Sequence, residues 1–117
     1  MLIGDLVEAT GLSHRTIRHY DEVGLLPAST RSEGGYRVYS ESDLRRMLRI
    51  RSMKPLGFTL DEMRELLDTI DTLDADPTDP AVREKFAAYV ASAQAKRDKL
   101  ALNLERADAL LDELTGR

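Results

Sequence analysis

The sequence contains no cysteine, and only two of its 117 residues are histidines. The lack of cysteine excludes disulfides, thiolate metal sites, cysteine-ligated iron–sulfur clusters and thiol redox switches. The two histidines, His14 and His19, lie five residues apart and cannot form a closed metal site by themselves. We therefore expect the protein to bind no metal and no other cofactor.

Long apolar runs are also missing. No stretch approaches the roughly 18 apolar residues that a membrane-spanning helix needs, and the first ten residues lack the basic start and apolar block of a signal peptide. Phosphate-cradling glycine loops, metal-ligand spacings and a glycine-supported Ser/His/Asp order are absent as well. These absences predict a cytoplasmic protein that is not an enzyme and does not bind membranes.

Charge is unevenly distributed along the chain, whose formal net charge is −4. Residues 1–55 contain nine Lys and Arg against seven Asp and Glu, whereas residues 56–117 contain eight against fourteen. The first half is therefore positive by two charges and the second half negative by six. This asymmetry suggests that the first half faces phosphates and that the second half has another role.

The start of the chain predicts two short helices joined by a tight turn. The first covers residues 3–10 and stops at Gly11, and the second begins after Ser13, a favourable N-cap residue, and runs to Gly24. Two short helices connected in this way form a helix-turn-helix pattern, in which the turn needs a small residue.

A hairpin is predicted directly after the second helix. The polar run 28–33 ends in Gly34-Gly35, and aromatic and β-branched residues alternate in the segment Tyr36-Arg-Val-Tyr39. A Gly-Gly pair before such an alternation is typical of a turn that enters a short strand. A hairpin in this position after a helix-turn-helix is called a wing.

Two more helices and a connector follow the wing. A capping-box-like pattern at Ser40 opens the third helix, which we expect to end near Met53, before the segment Pro55-Leu-Gly57. A closer match to the capping box at Thr59 opens a fourth helix. The stretch 71–80 is acidic and contains two prolines, which predicts a connector.

One long helix is predicted from residue 81 to residue 115, after the favourable start Asp79-Pro80. Its apolar residues alternate in spacings of four and three, interrupted only at Arg97. A helix of about 35 residues is roughly 50 Å long, which a domain of this size cannot cover. The seam therefore predicts a partner helix, most simply that of a second copy. The seam residues are Phe86, Val90, Ala93, Leu100, Leu104, Ala107, Leu111 and Leu114.

Six segments carry a resemblance to a known protein family. They are Ile3-Gly-Asp-Leu6, Thr16-Ile-Arg-His-Tyr20, Gly24-Leu-Leu-Pro27, Arg31-Ser-Glu-Gly-Gly-Tyr-Arg-Val-Tyr39, Asp43-Leu44 and Leu56-Gly-Phe58. In this order and spacing the chain resembles the MerR family of bacterial transcriptional regulators. The resemblance is dense over residues 2–70, whereas the long helix agrees with the family in type only.

The residues and the resemblance together imply a mainly α fold. A winged helix-turn-helix DNA-binding domain occupies residues 1–70, an acidic connector 71–80, and a dimerisation helix 81–115, which pairs as an antiparallel coiled coil. The resemblance implies a homodimer that binds double-stranded promoter DNA in the spacer between two promoter elements. Distortion of that spacer would change its use by RNA polymerase, in response to a small-molecule effector that is sensed without thiols.

Some features depart from the family pattern. His19 stands where Tyr or Phe is frequent, Pro55 replaces a polar residue, and the cysteines of the metal-sensing branches are absent. Because the sequence stops at Arg117, directly after the long helix, we expect no separate ligand-binding domain. An alternative therefore stays open, namely a ligand-free or protein-controlled repressor or architectural DNA-binding dimer.

The candidate DNA contacts lie on the second helix, on the wing and at the end of the third helix. Arg15 and Arg18 share a helix face, and a guanidinium can pair with a guanine edge or with a phosphate. The five cations between Arg45 and Lys54 cannot share one face, and Lys54 is the preferred phosphate contact among them. The candidate contacts are Ser13, His14, Arg15, Thr16, Arg18, His19, Tyr20, Arg31, Tyr36, Arg37 and Lys54.

Structural roles compete with several of these assignments. Arg18 could pair with Asp21 or Glu22 on a solvated face. Ser13 could cap its helix without contacting DNA, and Tyr20 could belong to the core. In the wing, a Tyr36–Tyr39 arrangement could hold the hairpin and leave the arginines free. For the effector, Met63, Phe86 and Tyr89 could line a pocket, or they could simply belong to core and dimer packing.

Overall fold

The computed structural model describes residues 1–27 and 30–117, which form five helices and a two-stranded hairpin. Residues 28 and 29, the start of the polar run predicted before the hairpin, lie outside the described residues. The elements are α1 (Ile3–Thr10), α2 (His14–Glu22), β1 (Thr30–Arg31), β2 (Arg37–Val38), α3 (Glu41–Leu56), α4 (Leu60–Ala75) and α5 (Pro80–Thr115).

Side-chain caps start the helices at the residues that the sequence predicts. The hydroxyl of Ser13 accepts a backbone N–H of α2 at 3.1 Å. Ser40 and Asp43 form a reciprocal capping box at the start of α3, and Thr59 and Glu62 do the same for α4. These bonds satisfy N–H groups that have no partner within their helix, which fixes where each helix begins.

The predicted end of α3 near Met53 is wrong, because the helix continues through Pro55 to Leu56. Pro55 removes the helical hydrogen bond that its own N–H would have donated, and its ring crowds the carbonyl four residues earlier, but only one further helical residue follows it. The helix ends at Gly57 instead, whose positive φ of 92° suits glycine. The N–H of Gly57 then donates to the carbonyl of Lys54 at 3.1 Å.

The predicted connector is shorter than expected, since α4 continues to Ala75 and residues 71–75 are helical. Neither glycine nor proline interrupts this helix, and Pro77 follows soon after its end. Asp79 accepts the N–H of Ala81 at 3.0 Å and caps α5, and Pro80 occupies the first turn, as predicted.

The hairpin agrees with the predicted wing. Strand β1 pairs antiparallel with β2, with Arg31 opposite Arg37. Its turn is closed by a bond of 2.7 Å from the N–H of Ser32 to the carbonyl of Tyr36. Gly35 has a positive φ of 82°, which explains the need for glycine in this turn.

The chain divides into two compact units, residues 1–67 and residues 68–117. In the first unit α1 packs against both α2 and α3. The apolar side chains of this unit form one core, and the removal of their surface from water stabilises the fold. The completely buried large side chains of this core are Leu6, Ile17, Leu25, Met47, Ile50, Met63 and Leu67.

The second unit is dominated by α5, a helix of 36 residues. None of the α5 residues, all within the described part of the chain, is buried. Large apolar side chains are exposed along it, and Leu104 shows 63% of its surface to solvent. Among the helices of the described residues, none combines the length and the apolar character needed to cross a membrane.

Candidate DNA interface

Helix α2 has one buried face and one exposed face. Ile17 and Tyr20, one turn apart, are buried, so Tyr20 takes the core position that was the alternative to a DNA contact. Arg15 and Arg18, also three residues apart, are exposed, as is His14. The exposed face therefore presents two guanidinium groups and an imidazole, all of which can donate hydrogen bonds.

The first turn of α2 is fixed by Ser13. Its hydroxyl accepts the N–H of Thr16 at 3.1 Å and donates to the hydroxyl of Thr16 at 2.9 Å. Ser13 therefore caps the helix, and this capping orients Thr16 on the same turn.

A groove of about 410 Å³ lies on one side of α2. Lys54 from the end of α3 and Leu60 from the start of α4 line it opposite α2. The structure thus brings Lys54 beside α2, although between 34 and 39 residues separate it from the α2 residues that line the groove. The α2 residues that line the groove are Arg15, Thr16, His19 and Tyr20.

A larger cleft of about 580 Å³ lies on the other side of α2, between this helix, the wing and the start of α1. Four predicted contacts line it together, namely Arg18, Arg31, Tyr36 and Arg37. Three carboxylates also line it, those of Asp5, Asp21 and Glu22. The cleft is therefore a mixed surface in which the placement of each charge, and not the net charge, decides what can bind.

Asp21 links α2 to the wing. One of its carboxylate oxygens forms a close ion pair with the guanidinium of Arg37, and the other accepts the hydroxyl of Tyr39 at 2.9 Å. Asp21, considered from the sequence as a partner of Arg18, thus contacts two residues of the wing. Helical spacing favoured Arg18, and no local pattern indicates a partner sixteen residues away, so this function of Asp21 was missed.

These contacts shift the acidity of both partners. The hydrogen bond and the charge of Asp21 raise the pKa of Arg37 above its usual value. Burial, followed by the hydrogen bond to Asp21, raises the pKa of Tyr39 to about 12. Tyr39 therefore remains a neutral donor to Asp21 at every physiological pH.

The wing itself is held by backbone bonds and by its own arginine. Arg31 donates to the carbonyl of Gly35 at 2.9 Å across the turn, and Arg37 is paired with Asp21. The alternative in which the wing arginines are free is therefore wrong. Tyr36, at the tip, is 69% exposed and available for contact with a partner.

Three other arginines donate to main-chain carbonyls near the ends of α1 and α2. This structural use was missed from the sequence, where Arg46 and Arg51 were among five cations divided only into surface residues and phosphate contacts, and Arg64 was not considered. The pairs are Arg51 with the carbonyl of Thr10 at 2.9 Å, Arg64 with that of Val23, and Arg46 with that of Leu25.

The three residues considered for an effector pocket have different environments. Met63 is completely buried in the core of the first unit, which favours its packing role. Phe86 and Tyr89 are partly exposed on α5, three residues apart and thus on one face of that helix. Within the described residues, no group of three or more His, Asp and Glu side chains could hold a metal ion.

An exposed basic face of α2 beside a wing is the arrangement found in winged helix-turn-helix proteins that bind DNA. Comparison with known families agrees. The model of MerR HTH family regulatory proteins matches residues 1–70, and the model of the MerR DNA-binding region matches residues 44–116. The chain therefore belongs to the MerR family.

Curated relatives match between about half and nine tenths of the chain. Nodulation protein NolA of Bradyrhizobium elkanii is 46% identical over 66 residues, which cover 56% of this chain and 30% of NolA. The transcriptional regulator YfmP of Bacillus subtilis is 43% identical over 70 residues, 59% of this chain and 50% of YfmP. The activator TipA of Streptomyces coelicolor is 38% identical over 107 residues, 90% of this chain but 40% of TipA. The chain thus spans at most half the length of these relatives.

Solved structures match over nearly the whole chain. HiNmlR, a MerR family regulator bound to promoter DNA, aligns with a TM-score of 0.73 at 25% identity and covers 96% of this chain and 84% of its own. The N-terminal part of the multidrug transporter activator Mta of Bacillus subtilis aligns with a TM-score of 0.60 at 31% identity, covering 97% and 93%. The fold, including a long C-terminal helix, is that of MerR regulators.

The distinction between structural and exposed arginines can be tested with two neighbouring residues. Arg46 is 7% exposed and donates to the carbonyl of Leu25, whereas Arg45 is exposed. We expect Arg46→Ala to lower the free energy of unfolding by about 1–3 kcal/mol, because a buried carbonyl loses its donor. Arg45→Ala should change it by no more than about 0.5 kcal/mol. Urea denaturation followed by circular dichroism measures both, and equal effects would contradict the assignment.

Proposed function

We propose that the protein binds promoter DNA as a homodimer and alters transcription by distorting the promoter spacer. The observation that carries the proposal is the exposed face of α2, with Arg15 and Arg18, between two recesses that hold further basic side chains. Guanidinium groups on a helix that fits the major groove can read guanine edges, and the flanking cations can bind phosphates.

The two recesses suit the two strands of a duplex beside the recognition helix. Lys54 lies at the groove on one side, and Arg31 and Arg37 lie at the cleft on the other. Contacts to phosphates would fix the register of α2 on the DNA, whereas contacts from Arg15 or Arg18 would supply sequence preference. HiNmlR, of the same fold, was crystallised bound to promoter DNA.

Dimerisation is proposed through the seam of α5. Leu100, Leu104, Leu111 and Leu114 are each at least 43% exposed in the single chain, and the heptad spacing places them on one stripe. A contiguous exposed apolar stripe of this length is typical of a surface that is buried against a partner. A second α5 with the same stripe, in the antiparallel arrangement that the family resemblance implies, would provide it.

Distortion of the promoter spacer, and with it a changed use of the promoter by RNA polymerase, is proposed from the resemblance to the MerR family. Control by a small-molecule effector, sensed without thiols, is the first form of this proposal. The second form is a ligand-free or protein-controlled repressor or architectural dimer. Promoter output that changes with an added ligand supports the first form, and constant output supports the second.

Selection of genomic fragments by the purified protein, followed by footprinting, tests the proposal as a whole. We expect a two-fold symmetric protected region inside a promoter spacer, with enhanced cleavage at its centre where the DNA is distorted. The absence of any enriched fragment at moderate salt would contradict the proposed function.

Arg18 is expected to contribute to sequence preference. On a recovered promoter fragment, Arg18→Ala should lose about 1–3 kcal/mol of specific binding, because one good base contact contributes that much. Arg45→Ala removes the same charge from an exposed position outside both recesses, and it should retain the preference. Binding titrations of promoter and scrambled duplexes measure the preference. Wild-type preference in Arg18→Ala would show that this residue does not read the DNA.

Leu104 is expected to hold the dimer. Leu104→Asp introduces a carboxylate into the apolar seam and should shift the protein to a monomer, because the charge would lose its hydration in the paired state. Asn103→Asp adds the same charge one position off the seam and should remain dimeric. Sedimentation velocity distinguishes the two masses. An unchanged dimer in Leu104→Asp would place the interface elsewhere.

A further inference from the structure

We propose that Asp21 is a positioning residue for the wing: by holding Arg37 it sets the register in which the protein grips DNA and so raises its preference for the promoter site. This inference rests on the proposed DNA-binding function and deepens it. Asp21 itself contributes no donor to DNA, since a carboxylate only accepts hydrogen bonds.

The carboxylate of Asp21 lies where it can orient the guanidinium of Arg37 but is itself largely buried from a ligand such as DNA. Its side chain is only 6% exposed, whereas that of Arg37 is 39% exposed. The ion pair occupies one terminal nitrogen of the planar guanidinium, which carries five N–H donors, and Arg37 also lines the cleft. A side chain held in this way loses less conformational freedom when a phosphate binds to it.

Both oxygens of Asp21 are occupied, so the carboxylate cannot rotate freely. The second oxygen accepts the hydroxyl of Tyr39, and Tyr39 is buried. The backbone of Tyr39 is fixed by two bonds to Met1, of 2.6 Å and 2.8 Å. The position of Arg37 is therefore tied through Asp21 to α2, the helix that carries Arg18 one turn earlier.

A negative charge beside a proposed phosphate path weakens DNA binding in general, because like charges repel. A positioning function predicts the opposite for specific binding. Phosphate contacts fix register and orientation, which base readout requires, whereas non-specific binding depends mainly on charge. Loss of the ion pair should therefore lower the ratio of specific to non-specific affinity even where total affinity rises.

The test compares Asp21→Asn with Glu22→Gln. Each substitution removes one negative charge from the same cleft, but only Asp21 forms the ion pair with Arg37 and the bond to Tyr39. Asparagine can still accept the hydroxyl of Tyr39 through its amide oxygen. The probes are a promoter duplex recovered by genomic selection and a scrambled duplex of equal length, titrated over a range of salt concentrations.

We expect Asp21→Asn to reduce the affinity ratio of the two duplexes by a factor between about 2 and about 150, the range of coupling between residues in direct contact. Glu22→Gln should change both affinities by the same factor and leave the ratio as in the wild type. In the Arg37→Met background, Asp21→Asn should have no further effect on the ratio, because the side chain that it orients is gone. A purely structural role would lower thermal stability without this dependence on Arg37.

The outcomes separate the inference from the proposed function. If Asp21→Asn behaves like Glu22→Gln while Arg18→Ala still loses preference, the protein reads DNA and the function of Asp21 is refuted. If selection recovers no fragment, the proposed function and this inference both fail. If Asp21→Asn does not fold, Arg37→Lys decides, since it keeps the charge but loses the planar fork. A wild-type ratio in Arg37→Lys would overturn the proposal, and a reduced ratio at unchanged non-specific affinity would support it.

Discussion

The position of the exposed face of α2 depends on arginines that donate hydrogen bonds to main-chain carbonyls at the ends of two short helices. Helices of eight and nine residues, α1 and α2, are too short to be stable alone, and their last carbonyls have no partner within the helix. Arg51 donates to the end of α1, and Arg64 and Arg46 donate just beyond α2. Because these charge-assisted bonds come from α3 and α4, they hold the helix-turn-helix on a fixed base. The direction in which α2 presents Arg15 and Arg18 follows from that base.

The net charge says less about this protein than the contacts that each charged side chain makes. The net charge is −4, which by itself argues against a nucleic-acid partner, and the first half is positive by only two charges. Arg46 and Arg51 are bound to carbonyls near the ends of the short helices, whereas Arg31 and Arg37 line the cleft although each already makes a bond within the protein. What remains for DNA is a small set of cations on α2, in the wing and at Lys54. A surface with few cations binds DNA non-specifically only weakly, so its affinity must come from placing each contact well. The ion pair of Asp21 with Arg37 is one means of placing a contact.

Much of the fold could be predicted from the sequence, because its signals are local. Ser13, Ser40, Thr59 and Asp79 each cap a helix through bonds to residues two or three positions away, and Gly34-Gly35 marks the hairpin turn. Two helix ends were misplaced, at Pro55 and at Ala75, because a proline in a last turn and an acidic stretch are weak stop signals. The candidate DNA-contacting side chains could be named from the sequence, but the residues with which the charged side chains pair inside the protein could not. The pairs of Asp21 with Arg37 and of Arg51 with Thr10 join residues sixteen and forty-one positions apart, and helical or strand periodicity carries no information over such distances.

Dimerisation through the seam of α5 would raise the affinity for DNA above that of a single DNA-binding domain. A single unit presents one short recognition helix and one wing, and the few contacts they offer limit its affinity. A partner bound along the seam would join two such units, so that the second binds its half-site at a high effective concentration. Two-fold symmetry of the protein would then require two-fold symmetry of the DNA site, with a half-site separation set by the dimer. If that separation differs from the spacing on relaxed DNA, both units can bind only when the DNA bends or untwists between them. In the proposed mechanism the energy of that distortion would come from the second set of contacts, and the alignment of the wing with α2 would be a condition for any effect on the promoter.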